Sequence, residues 1–122
     1  MKTSELTGAA LDWAVAKCEG HNVFIKHAPV QVMYTPKGKR SWYIYTPSTN
    51  WSQGGPIIER EMREHGFDLW SGIHIPHGQF AATYCRGAID SYVYGPTPLI
   101  AAMRCYVASK LGDDIEIPKE LT

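Results

Sequence analysis

Two short segments of the chain combine glycine, proline and hydrogen-bonding side chains in a way that suits the binding of an anion. The first is NWSQGGP, Asn50–Pro56, and the second is YGPTP, Tyr94–Pro98. Each leads into a predicted helix, and the start of a helix leaves backbone N–H groups free and carries a partial positive charge. Glycine lets a phosphate or carboxylate approach the backbone, so both segments predict anion sites. The alternative is that Gly-Pro merely marks the start of a helix.

The first segment also places an aromatic ring among polar groups. Trp51 either completes the core or stacks on a partner, and one stacked base contributes about 1–3 kcal/mol in nucleic-acid complexes. Amide and hydroxyl groups suit ribose, and arginine makes bidentate contacts to phosphate. We therefore predict one pocket that binds a nucleotide-like anion without turnover. Its candidate residues are Asn50, Trp51, Ser52, Gln53, Gly54, Gly55, Arg60, Arg86, Tyr94, Gly95, Thr97 and Arg104.

Catalytic and metal-binding patterns are weak in this sequence. It contains neither GxGxxG nor GxxxxGK[ST], and no order of residues resembles a Ser-His-Asp or Cys-His set. His74 and His77, with Cys85 nearby, lack the convergent spacing that zinc requires. Cys18, Cys85 and Cys105 are odd in number and far apart, which favours free thiols in a reducing compartment. We expect a binding protein without metal or cofactor rather than an enzyme.

Length and composition predict one globular domain over residues 1–122. Hydrophobic residues make up 44% of the chain and charged residues 20%, which is ordinary globular usage. Twelve basic and twelve acidic residues cancel, which argues against general nucleic-acid binding. No segment approaches the ~20 apolar residues of a membrane span, and the N-terminus lacks the apolar centre of a secretory signal. We therefore expect a cytoplasmic protein that does not contact membranes.

The charges are separated along the chain although they sum to zero. No acidic residue occurs between Gly20 and Ile58, a stretch that contains Lys26, Lys37, Lys39 and Arg40. Acidic residues cluster afterwards, at Glu59, Glu61, Glu64 and Asp68, and again at Asp113, Asp114, Glu116 and Glu120. This pattern indicates either solvated surface segments or a positive face that attracts a small anionic partner.

Apolar spacing and capping residues predict three helices. The first covers residues 4–19, capped by Thr3 or Ser4 and ended by Gly20. A short second helix covers Pro56–His65, with Pro56 in the first helical position after a polar loop. The third begins after Thr97, with Pro98 in the first position, and ends before Gly112.

Residues that favour strands lie between these helices. Val30–Thr35 and Ser41–Thr46 flank the turn-forming segment Pro36–Arg40 and predict a hairpin. Further extended segments are Asn22–Lys26, Phe67–Ile75, Gln79–Arg86 and Tyr92–Tyr94, with a second turn at Pro76-His77-Gly78 and a tail in which Ile115 and Ile117 fold back. Helices at both ends predict an α+β fold, in which the N-terminal and C-terminal helices pack on an antiparallel sheet.

Three long strings resemble the NinX-like small proteins of lambdoid phages and prophages. They are ALDWAVAKCEG at Ala10–Gly20, NWSQGGPIIERE at Asn50–Glu61 and GPTPLIAAMRCYVASKLGDDIEIPKEL at Gly95–Leu121. The resemblance implies a bacterial cytoplasm during phage infection. It implies no catalytic residues, since the function of that family is unknown.

This context favours an accessory protein that sequesters a nucleotide-like host ligand, such as an immune signal. The alternative is an adaptor that docks on a host enzyme and inhibits it. The two hypotheses differ at Trp51, which would lie in a concave pocket in the first and on an exposed patch in the second. Many aromatic residues and zero net charge also predict a homodimer or larger assembly.

Overall fold

The computed structural model describes residues 1–72, 75, 78–84 and 92–122. Within them, helices α1–α3 pack on two antiparallel sheets of three strands each. The helices are α1 (Gly8–Glu19), α2 (Trp51–His65) and α3 (Pro98–Leu111). The strands are β1 (Asn22–His27), β2 (Val30–Thr35), β3 (Tyr43–Ile44), β4 (Phe67–Trp70), β5 (Phe80–Tyr84) and β6 (Val93–Gly95). The predicted α+β class is confirmed, with the strands divided into two sheets on either side of α2 in the chain.

The first sheet has the order β1-β2-β3 and contains the predicted hairpin. Val23 pairs with Tyr34, and Tyr34 pairs in turn with Tyr43. The return strand is shorter than predicted because the backbone leaves the sheet after Ile44. The Thr46 N–H donates to Gln53 Oε1 at 2.7 Å, and Gln53 Nε2 donates to the Ile44 carbonyl at 2.9 Å. One side chain of α2 therefore fixes where this sheet ends.

The second sheet has the order β4-β5-β6. The predicted strand Phe67–Ile75 ends already at Trp70 in the structure. The predicted turn at Pro76-His77 and the end of the predicted strand Gln79–Arg86 lie outside the described residues.

Helix α1 begins later than predicted. Gly8 has φ +57°, a left-handed value that separates the helix from the short 3-10 turn at Thr3–Glu5. Gly20 ends the helix as predicted, with φ +73° and its N–H bonded to the carbonyls of α1. Leu11 and Val15 are fully buried, so α1 contributes one wall of the core.

Helix α3 lies at the centre of the core. The Thr97 hydroxyl accepts the Ile100 N–H at 3.1 Å, and Gly112 follows the last turn, as predicted. Its buried residues are Leu99, Ile100, Ala101, Ala102, Met103, Cys105, Tyr106 and Val107. The second sheet, the other two helices and the turn at Thr3–Glu5 all contact α3, which explains why it is apolar on almost every side.

Helix α2 begins at Trp51, five residues before the predicted start at Pro56. Asn50 caps it, since Asn50 Oδ1 accepts the Ser52 N–H at 3.0 Å. Pro56 therefore lies inside the helix, where it lacks the N–H that would bond to the preceding turn. The loop predicted over Pro47–Pro56 is helical in its second half.

The chain termini lie side by side. The Thr3 N–H donates to the Asp113 carbonyl and the Ile115 N–H to the Met1 carbonyl, each at 2.9 Å. Ile115 and Ile117 fold back against the core, as predicted. No helix in the described part of the chain is long and apolar enough to cross a membrane.

The two described cysteines are free thiols, as expected. Cys105 is buried and Cys18 is partly buried. Burial raises the pKa of each thiol to about 12, so both are protonated and unreactive at neutral pH. Cys85 lies outside the described residues.

Candidate binding cleft

The predicted helix start at Gly54-Gly55 is wrong, because both glycines lie within α2. The Gly54 N–H donates to the Asn50 carbonyl at 2.9 Å and is not free for a ligand. A Cβ at Gly54 would lie 2.7 Å from Leu99 Cδ2 and would clash with the Pro47 carbonyl. Gly54 is therefore a close-packing residue, which lets α2 contact the first turn of α3.

The second predicted segment, Tyr94–Pro98, also contributes to packing between elements. A Cβ at Gly95 would lie 2.6 Å from the Ala101 nitrogen, so glycine allows β6 to lie against α3. The Tyr94 side chain is exposed, and the Thr97 hydroxyl is the cap of α3. Gly95 therefore serves the packing of β6 on α3, and Thr97 serves the start of α3.

Arg104 serves as a clamp. Its Nε donates to the Leu6 carbonyl at 2.7 Å, and a terminal nitrogen donates to the Tyr94 carbonyl at 2.9 Å. The guanidinium joins α3 to the residues before α1 and to β6. Two of its N–H donors are therefore used within the protein, and its predicted contact to a phosphate stays a prediction. Arg86 lies outside the described residues.

Arg60 is also engaged within the protein. Its two terminal nitrogens donate to both Glu19 carboxylate oxygens at 3.0 and 2.8 Å, and its Nε donates to Glu61 at 3.2 Å. The Tyr106 hydroxyl also donates to Glu19. Burial opposes ionisation of Glu19, but the bonds from Arg60 and Tyr106 outweigh it and lower the pKa of that carboxyl. The charge of Arg60 is neutralised by one half-buried and one buried carboxylate, which leaves little charge to bind a phosphate.

Two of the predicted side chains around Trp51 are bonded locally. Asn50 Oδ1 accepts from both the N–H and the hydroxyl of Ser52, at 3.0 and 2.7 Å. Trp51 itself is 55% exposed and lines neither of the two cavities described below. Its ring is therefore not part of the core.

The structure brings three predicted residues, Ser52, Gln53 and Arg60, into one cleft of about 250 Å³. This cleft lies between the end of α1, strand β2 and the first turns of α2. Its lining residues are Glu19, His21, Tyr34, Pro36, Tyr45, Ser52, Gln53, Pro56, Ile57 and Arg60. The remaining described candidates lie elsewhere, so the predicted pocket is only partly assembled.

An aromatic wall that the sequence did not identify forms one side of the cleft. The Tyr34 ring lies 4.4 Å from the Tyr45 ring and 4.9 Å from the His21 ring, measured between centroids. Burial lowers the pKa of His21 and raises the pKa of Tyr45, which disfavours a charge on either ring. The wall is an aromatic surface with polar tips.

A positively charged turn adjoins the cleft. Pro36 lines the cleft and leads directly into Lys37, Lys39 and Arg40, all of which are exposed. The Thr35 hydroxyl donates to the Lys39 carbonyl at 3.2 Å and fixes the turn. In the sequence, the lack of acidic residues between residues 20 and 58 was the feature that indicated a positively charged surface here.

A larger cavity of about 790 Å³ lies between β5, β6, α3 and the chain termini. Its lining residues are Lys2, Thr3, Ser4, Thr83, Tyr84, Tyr92, Val93, Cys105, Ala108, Ser109, Asp113 and Asp114. None of the described site candidates is among them. Across the described ranges, no group of three or more His, Cys, Asp and Glu residues is placed to hold a metal ion.

A family model described as bacteriophage P22 NinX matches residues 2–110. The matched range includes every residue that lines the cleft. No curated protein shows significant similarity to the chain.

Proposed function

Because the chain belongs to the bacteriophage P22 NinX family, we propose that it is a phage accessory protein that binds a nucleotide-like anion in the host cytoplasm without turnover. The supporting observation is the cleft in which Ser52 and Gln53 meet the aromatic wall beside the basic turn. Such a protein would act by lowering the free concentration of a host nucleotide, for example an immune signal.

The cleft suits the base of such a ligand. Tyr34 and Tyr45 offer rings for stacking, which contributes about 1–3 kcal/mol per base in comparable complexes. The volume of about 250 Å³ lies below the range of about 300–1,000 Å³ for pockets that enclose whole ligands. We therefore place only the base inside and the phosphate outside.

The phosphate then lies against the basic turn. Lys37, Lys39 and Arg40 supply positive charge at the side of the cleft where Pro36 ends β2. Exposed charges are screened by salt, so this contact weakens as ionic strength rises. Arg60 makes no contact with the phosphate. Its bonds to Glu19 hold two residues that line the cleft in place.

Mass spectrometry tests this function. The purified protein is incubated with a host-cell nucleotide extract, washed and denatured, and the released molecules are identified. We expect the parent protein to retain a nucleotide and the variant K37E/K39E to lose it. The control K119E changes an equally exposed lysine far from the cleft and should retain it. A parent protein that releases no nucleotide would overturn the proposal.

A second candidate function is a protein adaptor that inhibits a host enzyme. The observation that favours it is Trp51, which is 55% exposed outside both cavities. Exposed tryptophan is typical of the residues that dominate binding energy at protein interfaces. The variant W51A distinguishes the two functions. It should keep the melting temperature in either case, because exposed substitutions change stability by only about 0.5 kcal/mol. Loss of nucleotide capture would assign Trp51 to the ligand site, and unchanged capture would leave it to a protein partner.

A further inference from the structure

The outer face of the first sheet carries an apolar row that the protein leaves uncovered. Val23 and Tyr34 pack against the core from one face of β1 and β2. Side chains alternate along a strand, so Phe24, Met33 and Ile44 share the opposite face. Their backbones are direct cross-strand neighbours, with Phe24 paired to Met33 and Met33 to Ile44. We call these three residues the outer row.

The outer row is extended by a tryptophan, and its two ends, Phe24 and Ile44, are exposed while Met33 between them is half-buried. The Trp42 ring lies 4.8 Å from the Phe24 ring in an edge-to-face contact. Phe24 is 45% exposed, Trp42 44% and Ile44 46%. Contiguous exposed apolar side chains of this kind mark interaction sites in folded proteins.

One edge of the sheet is available for strand addition. At the β3 edge, the Ile44 carbonyl already accepts a hydrogen bond from Gln53 Nε2. At the other edge, β1 runs for six residues, and no strand pairs with its outer side in the described part of the chain. An open edge of this length is a template for another extended chain.

The surroundings of the outer row are positively charged. Lys26 is two residues from Phe24 on β1 and therefore on the same face, and the basic turn at Lys37, Lys39 and Arg40 is exposed. The ion pairs formed among the described residues include none of these four side chains. Their charge is free to attract an acidic partner.

We propose that this face binds an extended acidic segment of a partner protein, which adds to the sheet along β1. Its backbone bonds to the open edge, its apolar side chains cover Phe24, and its carboxylates lie near Lys26. This site is separate from the cleft, because Met33 and Tyr34 point to opposite faces of β2. The outer row does not line the cleft, and the two sites share only the charge of the basic turn.

Two other occupants fit the face less well. Nucleic acid requires planar stacking surfaces, and the aliphatic side chains of Met33 and Ile44 interrupt the rings. A second copy of the chain, paired through its own β1, would bring Lys26 of each copy against the same positive face. Like charges opposed in this way disfavour the contact.

The test uses the full chain and a labelled synthetic peptide of alternating glutamate and valine, long enough to span β1. Fluorescence anisotropy measures its binding at low salt. We expect F24S to weaken binding by about tenfold or more, as for an interface anchor. The matched control M62S changes an equally exposed apolar residue on α2 and should have no effect. Circular dichroism confirms that each variant is folded.

A charge-reversal variant keeps the test decisive if F24S does not fold. K26E should weaken binding of the acidic peptide and strengthen binding of a lysine–valine peptide, while K119E should change neither. Hydrogen exchange should show new protection at the β1 amides with peptide bound. The proposal is overturned if K26E binds the acidic peptide as the parent does. It is equally overturned if an oligothymidine binds through Phe24 more tightly than the peptide, or if light scattering shows a dimer that F24S separates.

Discussion

Side chains suited to ligand chemistry are mostly used inside this protein. Gln53 bonds to the backbone around Ile44, and Arg104 bonds to two carbonyls of the chain. Buried polar groups without a partner are costly, so a fold with many loops uses its amides and guanidiniums to satisfy them. Residue type alone therefore overstates the number of ligand-binding residues.

Asp12 provides a prediction at the scale of one residue. Its side chain is only 3% exposed and accepts the Ser48 N–H at 2.9 Å. Burial raises its pKa from 3.8 to about 6, although the bonds from Ser48 act in the opposite direction. The folded protein thus holds the proton more tightly than the unfolded chain. This contribution to stability is fully present below pH 3.8 and is lost as the pH rises through about 6.

The variant D12N should remove that pH dependence. The pKa difference corresponds to about 3 kcal/mol at most. Urea denaturation at about pH 5 and about pH 8 should show the parent losing more stability than D12N as the pH rises. Equal losses in both proteins would mean that Asp12 has an ordinary pKa.

At the scale of elements, helix α2 connects the two sheets. Gln53 at its start holds the end of β3, and Glu61 near its end accepts the Tyr84 hydroxyl of β5 at 2.9 Å. Between them, Arg60 joins α2 to Glu19 of α1 and to Tyr106 of α3. Variants of α2 can therefore compare residues that hold the elements together with residues that only face solvent.

The first element-scale prediction compares two arginines of α2. R60A leaves Glu19 and Glu61 without their counter-charge, and these carboxylates are 13% and 3% exposed. We expect a loss of about 2 kcal/mol in the free energy of unfolding. R63A breaks an exposed pair with Glu59 and should cost less than about 0.5 kcal/mol. Equal losses in urea denaturation would contradict the structural role of Arg60.

The second element-scale prediction compares two adjacent glycines. G54A forces a Cβ against Leu99 and the Pro47 carbonyl and should destabilise the protein by about 1–3 kcal/mol. G55A places its Cβ 3.7 Å from the Trp51 ring, an ordinary contact. Because glycine is unfavourable within a helix, G55A should stabilise by about 0.5–1 kcal/mol. Thermal melting of both variants checks the pair, and a tolerated G54A would show that α2 and α3 separate easily.

At the scale of the whole molecule, the net charge is zero, but basic and acidic residues lie on different parts of the surface. The basic turn and Lys26 surround the first sheet, while the acidic residues Glu59 and Glu64 lie exposed on α2. This arrangement is consistent with both proposed sites, since each uses the positive side.

We also expect the protein to self-associate. Large exposed apolar side chains outside the outer row, Trp51 and Met62 among them, and a neutral net charge favour assembly, so we expect a homodimer or larger particle. Light scattering at high protein concentration measures this directly. A single species of 13.6 kDa would refute it.

The α+β class, the caps of α3, the end of α1 and the first hairpin could all be predicted from the sequence. Each of these follows from local causes: apolar periodicity, the Thr97 hydroxyl, the left-handed Gly20 and the turn after Thr35. The acid-free stretch between residues 20 and 58 also contains the basic turn that adjoins the cleft.

The start of α2 and the side chains that come together in the cleft could not be predicted from the sequence, because both depend on how the elements pack. Pro56 and the two glycines predict a late helix start, but packing of Gly54 on Leu99 and the Asn50 cap extend the helix to Trp51. Likewise, the meeting of His21, Tyr34 and Tyr45 depends on the angle between α1 and β2. Contacts between residues distant in the chain leave no periodic signal, because they are fixed by how whole elements pack.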